Sequence, residues 1–521
     1  MGRNSIIFFI ISTLLFTIRV SSARPVTANS DQVPPTGEFN EFNTGGLSRE
    51  SFPDGFVFGT ATSAYQVEGM ANQGGRGPCI WDTFVKIPGM EAEGANADVA
   101  VDQYHRYKED IDLLKNLNFE AYRFSISWSR IFPNGTGAIN QEGVDYYNRL
   151  INYMVEKGIT PYVNLYHYDL PQALQDKYLG LLNRQVVKDF TDYAEFCFMT
   201  FGDRVKNWLT FNEPRVIAQL GHDDGSHAPG RCSKPYGNCS EGNSGTEPYI
   251  VAHNILLSHA SAVQKYREEY QGVQGGRIGI VLDFTWYQPL TRGKADNYAA
   301  QRARDFNIGW FLHPITYGEY PRTLQEIVDE RLPKFTKEEV KMVKGSIDFV
   351  GINHYTSNYV YYDANRPKPE VLAYNMDWNA SFAYGKNGVP IGPRAHSSWL
   401  YNVPSGIYNV IMYVKERYGN PSMIVSENGM DDPGNVTLVD GLYDNHRIDY
   451  YRTYLSNLKN AVDDGANVKA YFAWSLLDNF EWRLGYTSRF GIVYVDHKTL
   501  DRYPKMSAYW FKQLCQKTIK H

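Results

Sequence analysis

From Phe52 onward the chain alternates short runs of apolar and β-branched residues with longer amphipathic stretches, and this alternation constrains the fold more than any other feature. A strand that is followed by a helix and then by another strand belongs to a parallel sheet, because only a long crossover brings the chain back to the same starting edge. The runs at 56–59, 121–125, 161–166, 207–211, 278–284, 347–353, 423–426 and 468–473 are almost continuously apolar, as strands covered on both faces must be. Between them, 103–117, 144–157, 186–200, 249–270, 299–310, 407–418 and 447–463 carry helical periodicity. Eight parallel strands close into a barrel. No linker and no short repeat divides the 521 residues, so the reading is α/β, a single (β/α)8 TIM barrel with long βα loops over 51–516. An open doubly wound sheet would carry a glycine-rich phosphate turn after an early strand, and none is present.

The chain opens with Arg3, the apolar run 6–18 and the small residues Ser21, Ser22 and Ala23, the order of a signal peptide cleaved after residue 23. That run is shorter than the roughly 20 apolar residues a membrane helix needs, and no later segment reaches that length. The expectation is a protein of the secretory pathway, extracellular in the cell wall or vacuolar, with no membrane attachment after cleavage. Residues 24–50, rich in Pro, Ser, Thr, Asn and Gly, read as a flexible leader. The net charge of −5 comes from charges of both signs spread along the chain, without the basic stripe that nucleic acid requires. Five cysteines are few for a secreted chain of this size. Cys232 and Cys239, close together in a Gly- and Ser-rich loop, suit a short local bridge, whereas Cys197 reads as a buried thiol. Glycosylation sequons at Asn134, Asn238, Asn379 and Asn435 fall in turn-rich segments, in keeping with secretion.

In a parallel barrel the ligand site is built where the strands end, so the polar residues directly after each apolar run are the candidates. Gln66 and Glu68 follow the first run, the second ends in Arg123 and Trp128, and the third leads into His167 and Asp169. The fourth delivers Asn212 and Glu213, the sixth Asn353, His354 and Tyr355, and the seventh Glu427 and Asn428. The eighth adds Trp474, Asp478, Asn479, Glu481 and Trp482. Singly, each has a plain structural explanation: Asn-Glu-Pro and Glu-Asn-Gly are common turns, and a lone tryptophan is more often core. Together, amides, an imidazole, carboxylates and indoles around one mouth suit a polyhydroxylated ring. Cleaving an acetal takes an acid on the leaving oxygen and a second carboxylate that attacks the anomeric carbon or activates water. Glu213 and Glu427 are the pair placed for this, with Arg123 holding Glu427 ionised and Glu213 keeping its proton. The chemistry calls for no metal and no cofactor, and neither H-E-x-x-H nor G-x-S-x-G occurs.

At these residues the sequence resembles the plant β-glucosidases of glycoside hydrolase family 1, from about Gly46 to the C-terminus. The resemblance is carried by SAYQVEG at 63–69, YRFSISW at 122–128, LYHYDLP at 165–171, TFNEP at 210–214, GINHY at 351–355, VSENG at 425–429 and AWSLLDNFEW at 473–482. It implies a (β/α)8 barrel with Glu213 as acid/base and Glu427 as nucleophile. It also implies a glycone held by Gln66, His167, Asn212, Glu481 and Trp482, with Trp474 under the ring and Phe490 at the pocket border. Asn353, Tyr355 and Arg123 would steady the nucleophile, and Trp399 would line the aglycone entrance. The Cys232–Cys239 pair matches a disulfide of the family. The substrates implied are small-molecule β-glycosides: β-glucosides, β-mannosides and short oligosaccharides.

The sequence departs from the family pattern at several positions. Tyr168 stands where many members have Trp, Ser426 where Thr is common, and His354 where Gln is frequent. Arg483 follows Glu481 and Trp482 at a usually small or apolar position, a cation placed to pair with Glu481, and Ser405 replaces an aromatic beyond Trp399. Competing readings are a transglycosidase using the same pair and a sugar-binding homologue with reduced turnover. A thioglucosidase typically has Gln at the acid/base position, and Glu213 argues against it.

Overall fold

The computed structural model describes residues 42–366 and 370–517. Eight parallel strands form a closed barrel in sequence order: β1 (Val57–Ala61), β2 (Ala121–Ser125), β3 (Thr160–Tyr166), β4 (Asn207–Asn212), β5 (Arg277–Asp283), β6 (Phe349–Asn353), β7 (Met423–Asn428) and β8 (Val468–Trp474), which pairs back onto β1. All eight runs read from the sequence are barrel strands, with no end shifted by more than two residues. Their buried side chains fill both faces, the reason these segments lack a polar alternation.

Helices wrap the outside: α1 (Gln103–Asn116), α2 (Gln141–Glu156), α3 (Gln185–Phe201), α4 (Pro214–His222), α5 (Glu247–Lys265), α6 (Ser405–Arg417) and α7 (Asn445–Asp463). The helix expected over 249–270 ends as α at Lys265 and continues as a π-turn, Tyr266–Tyr270. The one expected over 299–310 is interrupted by a second π-turn, Asp305–Gly309. There Asn307 donates to the Asp283 carboxylate at 3.1 Å, so the irregular turn serves the barrel mouth.

The strands are least regular where they enter the site. The β4–β5 register shifts between Leu209 and Asn212, and the β6–β7 register shifts between Val425 and Glu427. Each bulge re-aims the residues at a strand end, here those next to Glu213 and Glu427 themselves. Gly351 explains a close approach beside them, since a Cβ there would lie 2.9 Å from Ser426 Oγ. Ser426 fills that space with its hydroxyl, which donates to Asn353 Oδ1 at 2.7 Å.

The segment read as a signal peptide and most of the one read as a leader lie outside the described residues. Residues 43–50 correct the leader reading, because they already pack on the barrel. Arg49 lies 3.6 Å from Glu120 and over the Phe58 ring, and the Asn43 carbonyl accepts from Trp510 Nε1 at 3.2 Å. Cys232 and Cys239 form a disulfide, and Cys79, Cys197 and Cys515 are buried free thiols. Among the described residues no helix is long and apolar enough to cross a membrane.

Candidate active site

Glu213 follows β4 in a left-handed backbone conformation, φ 46°, and Pro214 starts α4 at once. A non-glycine residue in that region costs on the order of 1 kcal/mol, and such strain persists where the surroundings fix it. The sharp turn swings the carboxyl over the barrel mouth. Glu427 reaches the same mouth from β7 and is 4 % exposed.

A continuous set of hydrogen bonds joins the two carboxylates. Asn353 Nδ2 donates to Glu213 Oε1 at 2.8 Å and to Asn212 Oδ1 at 3.1 Å. Arg123 Nη2 donates to the same Asn212 oxygen at 2.6 Å, and Arg123 Nη1 donates to Glu427 Oε1 at 2.6 Å. Tyr355 OH donates to Glu427 Oε2 at 2.7 Å, and Tyr168 OH donates to Glu213 Oε2. The environments are opposite. Glu427 shares a fully buried guanidinium, while among the described residues no cation pairs with Glu213, and burial, Glu427 and Asp283 push its pKa up to about 8. Burial and the neighbouring Arg123 lower the pKa of His167 well below its ordinary value, leaving a neutral imidazole whose Nε2 accepts from Asn212 Nδ2 at 3.1 Å.

Above these groups opens a cavity of about 540 Å³. Of the residues singled out from sequence, His167, Asn212, Glu213, Asn353, Tyr355, Trp399, Glu427, Trp474, Glu481, Trp482 and Phe490 line it. The His167 ring is near-parallel to those of Trp474 and Trp482, with centroids 5.8 and 5.9 Å away and planes within 16° and 11° of parallel. These flat faces suit the C–H surface of a pyranose. Trp399, 42 % exposed, stands at the outer edge, edge-on to Tyr355. Burial, Asp431 and Glu427 push Glu481 up to about 8 as well.

Several of the residues singled out from the sequence are not part of the cavity lining. Gln66 is fully buried behind the wall, its amide engaged by Asn479 Oδ1, the Phe480 carbonyl and Glu481 Oε2. Arg123 is also behind the wall, as a support should be. Glu68 pairs with Arg130 at 2.9 Å, and Trp128 is wholly buried with Nε1 donating to the Gly135 carbonyl. Asp169 is buried, His354 is tied to the Phe284 carbonyl, Asn428 to Tyr450 and Tyr471, and Asp478 to Arg489 and Lys505. These follow the strands as the mouth residues do, but their side chains point back into the shell. Arg483 is exposed on the cavity rim, and among the described residues it forms no ion pair with Glu481. Ser405 is the exposed first residue of α6.

The outer cavity wall escaped the sequence reading. Arg215 Nε donates to Asp283 Oδ2 at 2.7 Å, and Gln219, His227, Thr285 and Asn358 stand nearby in the lining. Asp283 was legible by the rule used elsewhere, being the polar last residue of β5. Arg215 and Gln219 were not, because they project from a helix and only its docking angle turns them inward.

A parallel barrel with two differently held glutamates beneath a tryptophan-lined cavity defines a glycoside hydrolase. The model of glycosyl hydrolase family 1 matches residues 48–519, and the chain belongs to that family. It is 72 % identical to beta-glucosidase 44 of Arabidopsis thaliana, over 93 % of this chain and 95 % of the relative. Identity to beta-glucosidase 1 of Oryza sativa subsp. japonica is 68 %, over 90 % of each chain. Among solved structures, a rice β-glucosidase mutant in a covalent complex with glucose superposes with a TM-score of 0.89 at 52 % identity, over 91 % of this chain and all of that one.

Proposed function

We propose that the protein is a retaining exo-β-glycosidase that removes terminal β-D-glucosyl residues from glucosides and short oligosaccharides, with β-D-mannosides as a second class of substrate. The observation that carries this reading is the opposite holding of two glutamates in one hydrogen-bonded set: Glu427 on Arg123 and Tyr355, Glu213 without a cation. Glu427 attacks the anomeric carbon while Glu213 gives its proton to the leaving oxygen. Glu213, now a carboxylate, takes a proton from water, whose oxygen displaces Glu427 from the face the aglycone left. Two inversions give net retention. The β-glucosidase names of the relatives, and the covalent glucose complex of a structural neighbour, support it.

The test is hydrolysis of p-nitrophenyl β-glucoside and β-mannoside with the first-formed anomer followed by NMR. β-Anomer is expected first, and α-anomer first would overturn the assignment of Glu427. The acid must be protonated to work, so kcat/KM is expected to fall as pH rises through about 8, where Glu213 loses its proton. Glu213→Gln should remove that limb and lower kcat/KM for alkyl glucosides by about 10²–10⁴-fold.

We also propose that the chain enters the secretory pathway through its cleaved N-terminal signal and is glycosylated. Asn134, Asn238, Asn379 and Asn435 are all exposed, as acceptors must be. Intact-mass measurement before and after glycosidase treatment of the secreted protein tests both.

A further inference from the structure

The mechanism above makes no use of the phenol of Tyr168, whose oxygen is in direct contact with the acid/base carboxyl. Tyr168 sits in the turn after β3 with φ 72°, lines the cavity and is 6 % exposed. Its ring is held by Trp482, with centroids 4.8 Å apart, and by His227 at 6.4 Å. The hydroxyl donates to Glu213 Oε2 while Asn353 Nδ2 holds Oε1, so both oxygens of the carboxyl are fixed. Burial and the adjacent Glu213 keep the phenol's pKa well above its ordinary value, which leaves it a neutral donor.

A hydrogen bond donated to a carboxylate is roughly twice as strong as one donated to a neutral carboxylic acid. The bond from Tyr168 therefore strengthens as Glu213 hands its proton to the leaving oxygen, and a contact stronger in the transition state than in the ground state accelerates the step. We propose that Tyr168 is a positioning residue that orients Glu213 and stabilises the negative charge it acquires on protonating the leaving group. The proton passes from Glu213 to the aglycone oxygen, and Tyr168 keeps its own throughout. The proposal rests on the acid/base reading of Glu213.

The charged and titratable groups facing Glu213 come from every side of the mouth. They are Glu427 on β7, Asp283 on β5 paired with Arg215 on α4, Tyr355 after β6, and Glu481 after β8. Arg123 on β2 reaches it only through Asn212 and Asn353, and His167 is neutral. Glu481 also titrates near 8, so the test must assign the alkaline limb to its owner.

Tyr168→Phe keeps the ring and removes the hydroxyl. With Glu213 less able to carry charge, the alkaline limb of kcat/KM is expected to move up by about 0.5–1 pH unit. For an alkyl β-glucoside, which needs full protonation of its leaving group, kcat/KM should fall by about tenfold or more. For 2,4-dinitrophenyl β-glucoside, which leaves without a proton, it should stay within about twofold. An unmoved limb, or equal losses on both substrates, overturns the role of Tyr168. Glu213→Gln run alongside separates the two readings. If that variant keeps the alkaline limb, the acid/base assignment fails; if it loses the limb and Tyr168→Phe leaves it in place, only the Tyr168 proposal fails.

Discussion

Glu427→Ala is expected to lower kcat by about 10⁴-fold or more, measured with an activated aryl β-glucoside, while the variant stays folded enough to bind glycone inhibitors. The size follows from what is removed. In the double displacement proposed above, removing the carboxylate removes the nucleophile, and neither Glu213 nor any hydrogen bond in the set replaces it. The alanine also leaves the guanidinium of Arg123 fully buried without its carboxylate, keeping only the Ser426 carbonyl at 3.3 Å and Asn212. A small anion such as azide, admitted to the space vacated by the side chain, is expected to restore turnover and to give the α-glycosyl azide by a single inversion. Recovery of β-azide instead would mean that the attack comes from the side of Glu213, and the two roles would have to be exchanged.

Asp478→Ala is expected to destabilise the protein by about 3–5 kcal/mol, seen as a lower urea midpoint at unchanged slope. Asp478 follows β8 and is wholly buried, where its carboxylate receives Arg489 Nη1 and Lys505 Nζ, both at 2.9 Å, and the Gly491 amide at 2.9 Å. Lys505 is itself fully buried. Truncating the aspartate strands two cations in the protein shell, and the cost is theirs more than the lost attraction. Burial alone would raise the Asp478 pKa, but Lys505 and Arg489 outweigh it and hold the carboxyl below its usual value. A depressed folded-state pKa contributes stability that is complete above the ordinary aspartate value near 4 and is lost as pH falls through the folded value. The wild type should therefore lose stability on acidification below about pH 4 more steeply than the variant does. A variant within about 1 kcal/mol of wild type would mean that water screens this cluster after all.

Asp478 also marks the line between what the chain announces and what folding decides. Eight apolar runs separated by amphipathic stretches were enough to give the barrel, because strands covered on both faces and helices covered on one leave different periods in the sequence. Strand ends were enough to find Glu213, Glu427, Asn212, Asn353 and Tyr355, since the barrel places its mouth there. The same rule selected Asp478, Glu68 and Asn428, which lie near the mouth in sequence and behind it in space. Residue type and position along a strand do not say whether a side chain leans into the cavity or back into the shell. That choice is made by register shifts at the ends of β4 and β7, by the left-handed turns at Tyr168 and Glu213, and by whichever buried cation lies nearest.

The sequence by itself determined the fold and placed Glu213 and Glu427 at strand ends that meet in one mouth, because both depend on local composition at positions the topology fixes. Only the tertiary structure decided how the hydrogen bonds run from Glu427 through Arg123, Asn212 and Asn353 to Glu213, that Tyr168 bonds to Glu213, and that Arg483 forms no ion pair with Glu481 among the described residues. Hydrogen bonding and pKa depend on separations of a few ångströms between residues hundreds of positions apart, such as Arg123 and Glu427, and those separations exist only once the barrel has closed.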